Sequence, residues 1–148
     1  MKHLGSPRKF LRLRISRDLS TISIHQAPYI RSMLSRFQMT DCVPVHTPLD
    51  PSLPLLYANA NEKRCNHQLY QEIMGSLNHL AVYSRPDISF AVSRLSQFNK
   101  DPTETHLKAA RRVLRYLKYT KKSLHYIWKS RFPQSKRILR QWMVARMA

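Results

Sequence analysis

Glycine, cysteine and acid are all scarce in this sequence. Only Gly5 and Gly75 occur in 148 residues, which excludes a glycine-rich loop that cradles phosphate through its backbone. Cys42 and Cys65 are the only cysteines, too few for a disulfide framework, and they demand no oxidising compartment. No run approaches the roughly 20 apolar residues of a membrane-spanning helix. Residues 1–16 alternate basic and apolar side chains without the continuous apolar core of a secretory signal. Neither membrane insertion nor a visible signal peptide is therefore expected.

The shortage of acid is the most informative. Eight Asp and Glu stand against 26 Lys and Arg, a formal net charge of +18. So large a surplus repels itself unless polyanions or counterions screen it, and nucleic acid or an anionic surface is the expected partner. Two-metal nucleotidyl transfer needs two or three converging carboxylates. The whole inventory is Asp18, Asp41, Asp50, Glu62, Glu72, Asp87, Asp101 and Glu104. Only Asp101 and Glu104 are close, and they flank a helix start, where acids complement the dipole and free amides. We expect no enzyme, no cofactor and no small-molecule substrate. Cys42 with His46, and Cys65 with His67, lack the Cys-x2–4-Cys spacing of zinc sites, so no metal is expected. The seven histidines read as surface residues.

Alternation of apolar and polar residues marks a β-hairpin, with Phe10, Leu11, Leu13 and Ile15 before the Arg17-Asp18-Leu19-Ser20 turn and Ile22 and Ile24 after it. Pro28 suits the first turn of a helix with Ile30, Met33, Leu34 and Phe37 on one face. Pro44, Pro48, Pro51 and Pro54 rule out a helix over residues 42–56 and predict an extended connection. Helical spacing then returns over residues 69–83, 87–98 and 103–118, the last capped by Thr103. Residues 124–128 predict a short strand. The fold class is α+β, helix-rich, with a short N-terminal β-hairpin, about four helices and an irregular basic C-terminal tail.

The last helix is the most polarised. Leu107, Ala110, Val113, Leu114 and Leu117 share one stripe, and basic residues fill the other side. Lys108, Arg111, Arg112, Arg115, Lys118 and Lys122 line up as nucleic-acid-binding residues able to track a phosphate backbone without reading sequence. A merely solvated outer face has the same appearance.

Several blocks resemble copia-type retrotransposon reverse transcriptases. They are Met1-Lys2-His3-Leu4-Gly5 with Phe10-Leu11, Phe37-Gln38-Met39 with Asp41-Cys42, and Val45-His46-Thr47-Pro48. Tyr70, Gly75-Ser76-Leu77, Leu80, Arg85-Pro86-Asp87-Ile88 and the run from Ala91 to Phe98 follow in order. His106, Ala109-Ala110 and the run from Arg112 to Lys118 complete the pattern. The resemblance implies that residues 1–128 are a thumb and connection region, its first hairpin corresponding to the primer grip. It also implies that the palm and ribonuclease H lie outside the chain. Arg12 stands where that hairpin usually has glycine, and the basic tail, residues 129–148, matches nothing in the family.

A second resemblance is to oomycete secreted RxLR effectors, carried by Arg112-Val113-Leu114-Arg115 and Arg137-Ile138-Leu139-Arg140. The motif residues are Arg112, Leu114, Arg115, Arg137, Leu139 and Arg140. That likeness implies secretion, entry into a host plant cell and its nucleus, a host-protein partner and suppression of immunity or cell death. The family's acidic Glu-Glu-Arg run is missing. The alternatives are a sequence-independent nucleic-acid-binding fragment of a retrotransposon polyprotein, intracellular in nucleus or cytoplasm, and an inactive retroelement remnant.

Overall fold

The computed structural model describes residues 9–10, 13–17, 21–59, 62–121 and 125–129. The chain divides into two units, Met1–His25 with Leu124–Ala148, and Gln26–Ser123. The first holds a four-stranded antiparallel sheet in the order β1-β2-β3-β4, built from β1 (Lys9–Phe10), β2 (Leu13–Arg17), β3 (Thr21–His25) and β4 (His125–Lys129). The predicted hairpin is β2 with β3. Ile15 stands opposite Ile24 and Arg17 opposite Ile22, so β-branched side chains meet on one face, the pairing that stabilises sheets. Residues 18–20 of its predicted turn lie outside the described residues.

The strand expected over residues 124–128 is β4, displaced by one residue. Thr21 pairs with Lys129, so the first residue of the sequence-defined tail belongs to the sheet. Between Ile22 and Ser23 the register shifts. Trp128 pairs with Ile22 and Tyr126 with Ser23, leaving Ile127 as the extra residue of a bulge.

The second unit is helical. Helix α1 (Ala27–Arg36) carries Pro28 in its first turn and buries Ile30, Met33 and Leu34. Phe37 lies just past its end, and Gln38 there takes a left-handed φ of 55°. Residues 42–56 form no helix or strand, as four prolines require, but this strap is bent rather than extended throughout and turns where the Leu53 N–H donates to the Asp50 carbonyl at 3.2 Å. Helix α2 (His67–Tyr83) begins two residues earlier than its apolar spacing suggests, because the Asn66 side chain accepts from the Leu69 N–H at 3.0 Å. It buries Tyr70, Ile73, Met74, Leu77, Leu80 and Ala81 and packs on α3 and α4.

The helix expected over residues 87–98 is shorter and in two parts. A 3-10 turn, Pro86–Ile88, leads into α3 (Ser89–Ser96). The Asp87 carboxylate reaches back to Arg85 there, and Phe98 turns inward to stack on His106, 4.0 Å between ring centres. Helix α4 (Glu104–Tyr119) buries His106, Leu107, Ala109, Ala110, Val113, Leu114 and Leu117, with Thr103 as its N-cap. The predicted apolar stripe is the buried one. The residues of the predicted tail after Lys129 lie outside the described residues.

Candidate nucleic-acid interface

Helix α4 presents its basic residues along the edge over which the strap passes. Lys108, Arg112 and Arg115 recur at i, i+4 and i+7, so they share one stripe. Arg112 donates from Nη2 to Thr47 Oγ1 at 2.9 Å, and its Nη1 lies 3.4 Å from Asp50 Oδ2. Arg115 Nε donates to the Val43 carbonyl at 2.6 Å, and Lys118 Nζ to the Cys42 carbonyl at 2.8 Å. These three cations therefore anchor the strap. Lys108 and Arg111 are exposed. Lys122 lies outside the described residues.

Strap and helix edge enclose a shallow groove of about 460 Å³, lined by Lys108, Arg111, Arg112 and Arg115 with Asp50, Ser52, Met39 and Leu53. Asp50 is the groove's one acid. Hydrogen bonds from the Ser52 side chain and backbone, helped by the Arg112 charge, hold its carboxyl below the usual range. One turn of α4 beyond Arg115, Tyr119 is half-exposed and meets the His46 ring edge-on, 4.3 Å between ring centres. Tyr116, near the same row in sequence, turns inward, donates to Asp87 Oδ2 at 2.8 Å and lies under the Arg85 guanidinium.

Beneath the edge sit two buried polar clusters that side-chain spacing did not reveal. Arg85 is only 2% exposed. It donates to Asp87 through Nε and Nη2, at 2.9 and 2.7 Å, and to Thr120 at the end of α4. Burial alone would raise the Asp87 carboxyl. The hydrogen bonds from Arg85 and Tyr116, with the Arg85 charge, bring it below the usual range instead.

His106, read from the sequence as a surface histidine, is 1% exposed. It occupies the N3 position of a capping box in place of the usual Glu or Gln. Its Nδ1 accepts from the Thr103 N–H at 3.0 Å, which assigns the proton to Nε2 and makes Nε2 the donor to the Leu56 carbonyl at 3.0 Å. Burial holds the imidazole below the ordinary histidine range, against smaller opposite effects of the Leu56 bond, Glu62 and Asp101. The signal for this residue was Thr103 with a hydrogen-bonding side chain three positions on.

Asp101 and Glu104, expected as helix-start acids, divide the work. Glu104 is the first residue of α4, and Asp101 pairs with Arg64 at 2.7 Å. The candidate zinc ligands have other partners: His46 meets Tyr119, and His67 bonds the Asn99 carbonyl. Among the described residues no three His, Cys, Asp or Glu group together as a metal site would require. Of the two Arg-x-Leu-Arg motifs, the first lies inside α4, with Leu114 fully buried and both arginines on the strap. The second, Arg137, Leu139 and Arg140, lies outside the described residues.

Charge is unevenly shared between the units. Twelve of the 26 basic residues, with a single acid, Asp18, fall in the 50 residues of the sheet unit. Fold and groove thus define a small, strongly basic α+β chain with its cations ranked along a helix edge.

Known sequences then place its origin: the chain is retrotransposon-derived. It is 44% identical over 108 residues, 73% of its length, to the retrovirus-related Pol polyprotein from transposon RE1 of Arabidopsis thaliana. With the corresponding polyprotein from transposon TNT 1-94 of Nicotiana tabacum it shares 35% identity over 127 residues, 81% of its length. It spans only 7% and 10% of those two polyproteins. A shorter likeness, 49% over 51 residues, links 34% of the chain to 36% of secreted RxLR effector protein 161 of Plasmopara viticola. Neither a protein-family model nor a solved structure matches the chain.

Proposed function

We propose that the chain is a non-catalytic thumb-and-connection stretch of a retroelement Pol polyprotein, and that its α4 edge holds nucleic-acid phosphates without reading sequence. The groove of four cations and one acid carries this reading, since phosphate contact needs ranked cations rather than base-reading side chains. The acids support the non-catalytic part. Asp87 is held by Arg85, Asp101 by Arg64, Glu72 by Arg36, and Asp50 by Ser52 and Arg112. A carboxylate bound to arginine is poorly placed to hold a metal ion.

The test is fluorescence anisotropy with a labelled 20-nucleotide RNA or DNA over a series of salt concentrations. Four engaged cations predict that log affinity falls against log salt with a slope of about −3 to −4. Lys108→Glu with Arg111→Glu, both at exposed positions that hold no strap contact, reduces affinity and flattens that slope. A slope near zero rejects the reading.

The 51-residue likeness to an RxLR effector favours a second reading, in which the chain is secreted, reaches the host plant cell and nucleus, binds a host protein and suppresses cell death. Its Arg112-to-Arg115 motif is folded into α4, so any role for it as a linear signal requires that helix to open. Expression in leaf tissue challenged with a cell-death elicitor separates the readings. Unchanged cell death removes the effector role and leaves the nucleic-acid reading standing.

A further inference from the structure

Thr47 combines three properties that its sequence neighbourhood alone would not make remarkable as a set. It precedes Pro48, it is exposed, and it lies in the strap, outside any helix or strand. Its Oγ1 accepts from Arg112 Nη2 at 2.9 Å, a bond that leaves the hydroxyl's own proton unused. Arg112 in turn is incompletely satisfied: its Nε is buried without a hydrogen-bond partner among the described residues. The anion now beside it, Asp50, stands off at 3.4 Å while Ser52 holds the other carboxylate oxygen. Arg115 and Lys108 follow on the same stripe, one turn to either side.

We infer that Thr47 is a phosphorylation site for a proline-directed kinase, with Arg112, already bonded to its hydroxyl oxygen, holding the phosphate. In the transfer Oγ1 attacks the γ-phosphorus of ATP, the bond to the ADP oxygen breaks, ADP leaves and the hydroxyl proton passes to the kinase's base. The product carries up to two negative charges and three acceptor oxygens, which suit guanidinium donors better than a single shared carboxylate. The exposed Thr-Pro segment, outside any helix or strand, is one that a kinase can take up as substrate. If the α4 groove binds nucleic acid as proposed above, the phosphate competes for the same cations, and modification becomes a means of weakening that binding.

The test starts with the full chain, a proline-directed serine/threonine kinase and MgATP, with phosphate mapped by mass spectrometry and titrated by phosphorus NMR. We expect phosphate on Thr47, no signal from that position in Thr47→Val, and a second phosphate ionisation clearly below the ordinary value of about 6. Arg112→Gln, which removes the charge, should return that ionisation toward about 6. Oligonucleotide affinity of the modified chain should fall several-fold, since the phosphate occupies Arg112. Absence of phosphate at Thr47 overturns the inference, and so does a phosphate whose ionisation is ordinary and unmoved by Arg112→Gln. If the unmodified chain binds no oligonucleotide while the ionisation is depressed, the nucleic-acid reading fails and the phosphorylation site stands.

Discussion

Asp87→Ala tests the buried arginine cluster most directly. Arg85 is 2% exposed and Asp87 33%, and their ion pair is closed by two hydrogen bonds of 2.9 and 2.7 Å, with a third from Tyr116. Removing the carboxylate leaves a guanidinium in the interior with only Thr120 to accept its hydrogen bonds and the Tyr116 ring beneath it. Breaking a buried pair from one side costs about 3–5 kcal/mol. Partial exposure of Asp87 argues for the lower end, about 3 kcal/mol. A small domain has only about 5–15 kcal/mol of stability, so the urea midpoint should fall by about 2 M. The control is Arg85→Met combined with Asp87→Ala, which removes the stranded charge and should recover at least half of the loss. A single-variant loss under about 1 kcal/mol refutes the reasoning. So does a double variant that is worse than Asp87→Ala alone. The carboxyl is depressed in the folded chain, so the pair's contribution is present above its unfolded value near 3.8 and is lost as pH falls through the folded value.

His106 acts at higher pH. Its folded value lies below 6.5, so its contribution is complete above that pH and is lost as pH falls below it. The urea midpoint should drop between pH 7.5 and 5.5, and His106→Gln, which preserves the capping box, should flatten that drop. A midpoint that rises on acidification contradicts the assignment. Tyr70 is buried with its hydroxyl donating to the Leu95 carbonyl at 2.8 Å, and Tyr70→Phe should cost about 1 kcal/mol in urea denaturation. Gly75 lies inside α2, and a methyl group there meets nothing within 4 Å. Gly75→Ala should therefore raise stability by about 0.5–1 kcal/mol, measured the same way.

Periodicity made most of the elements legible. Alternation around the Arg17-to-Ser20 turn located the β2–β3 hairpin, and apolar spacing located α1, α2 and α4, because both patterns report which side chains leave water. What the spacing missed depends on backbone acceptors and on short-range turns. The basic face of α4 looks like a solvated side on a helical wheel, but Arg115 and Lys118 bond the Val43 and Cys42 carbonyls. Carbonyls leave no trace in a side-chain pattern. Arg85 and Asp87 are two apart and would not share a face of an α-helix. The 3-10 turn, Pro86–Ile88, brings them together. Ion-pair partners such as Arg64 with Asp101 are 37 positions apart in sequence, beyond any local signal.

Ile24 of β3 pairs with His125 of β4, and everything from Gln26 to Ser123 lies between them in the chain. The helical unit is thus an insertion within a sheet, with its entry and exit joined to neighbouring strands. A ribosome makes all four helices before β3 can meet β4. Closing that pairing across about 100 residues costs only slightly more than closing half as many, but it must wait for residue 129. Order of synthesis therefore separates the two units in time. A chain ending just past Ser123 and released from the ribosome should already protect the Tyr70 and Leu114 amides from exchange, while Thr21 gains its β4 partner only in the longer chain.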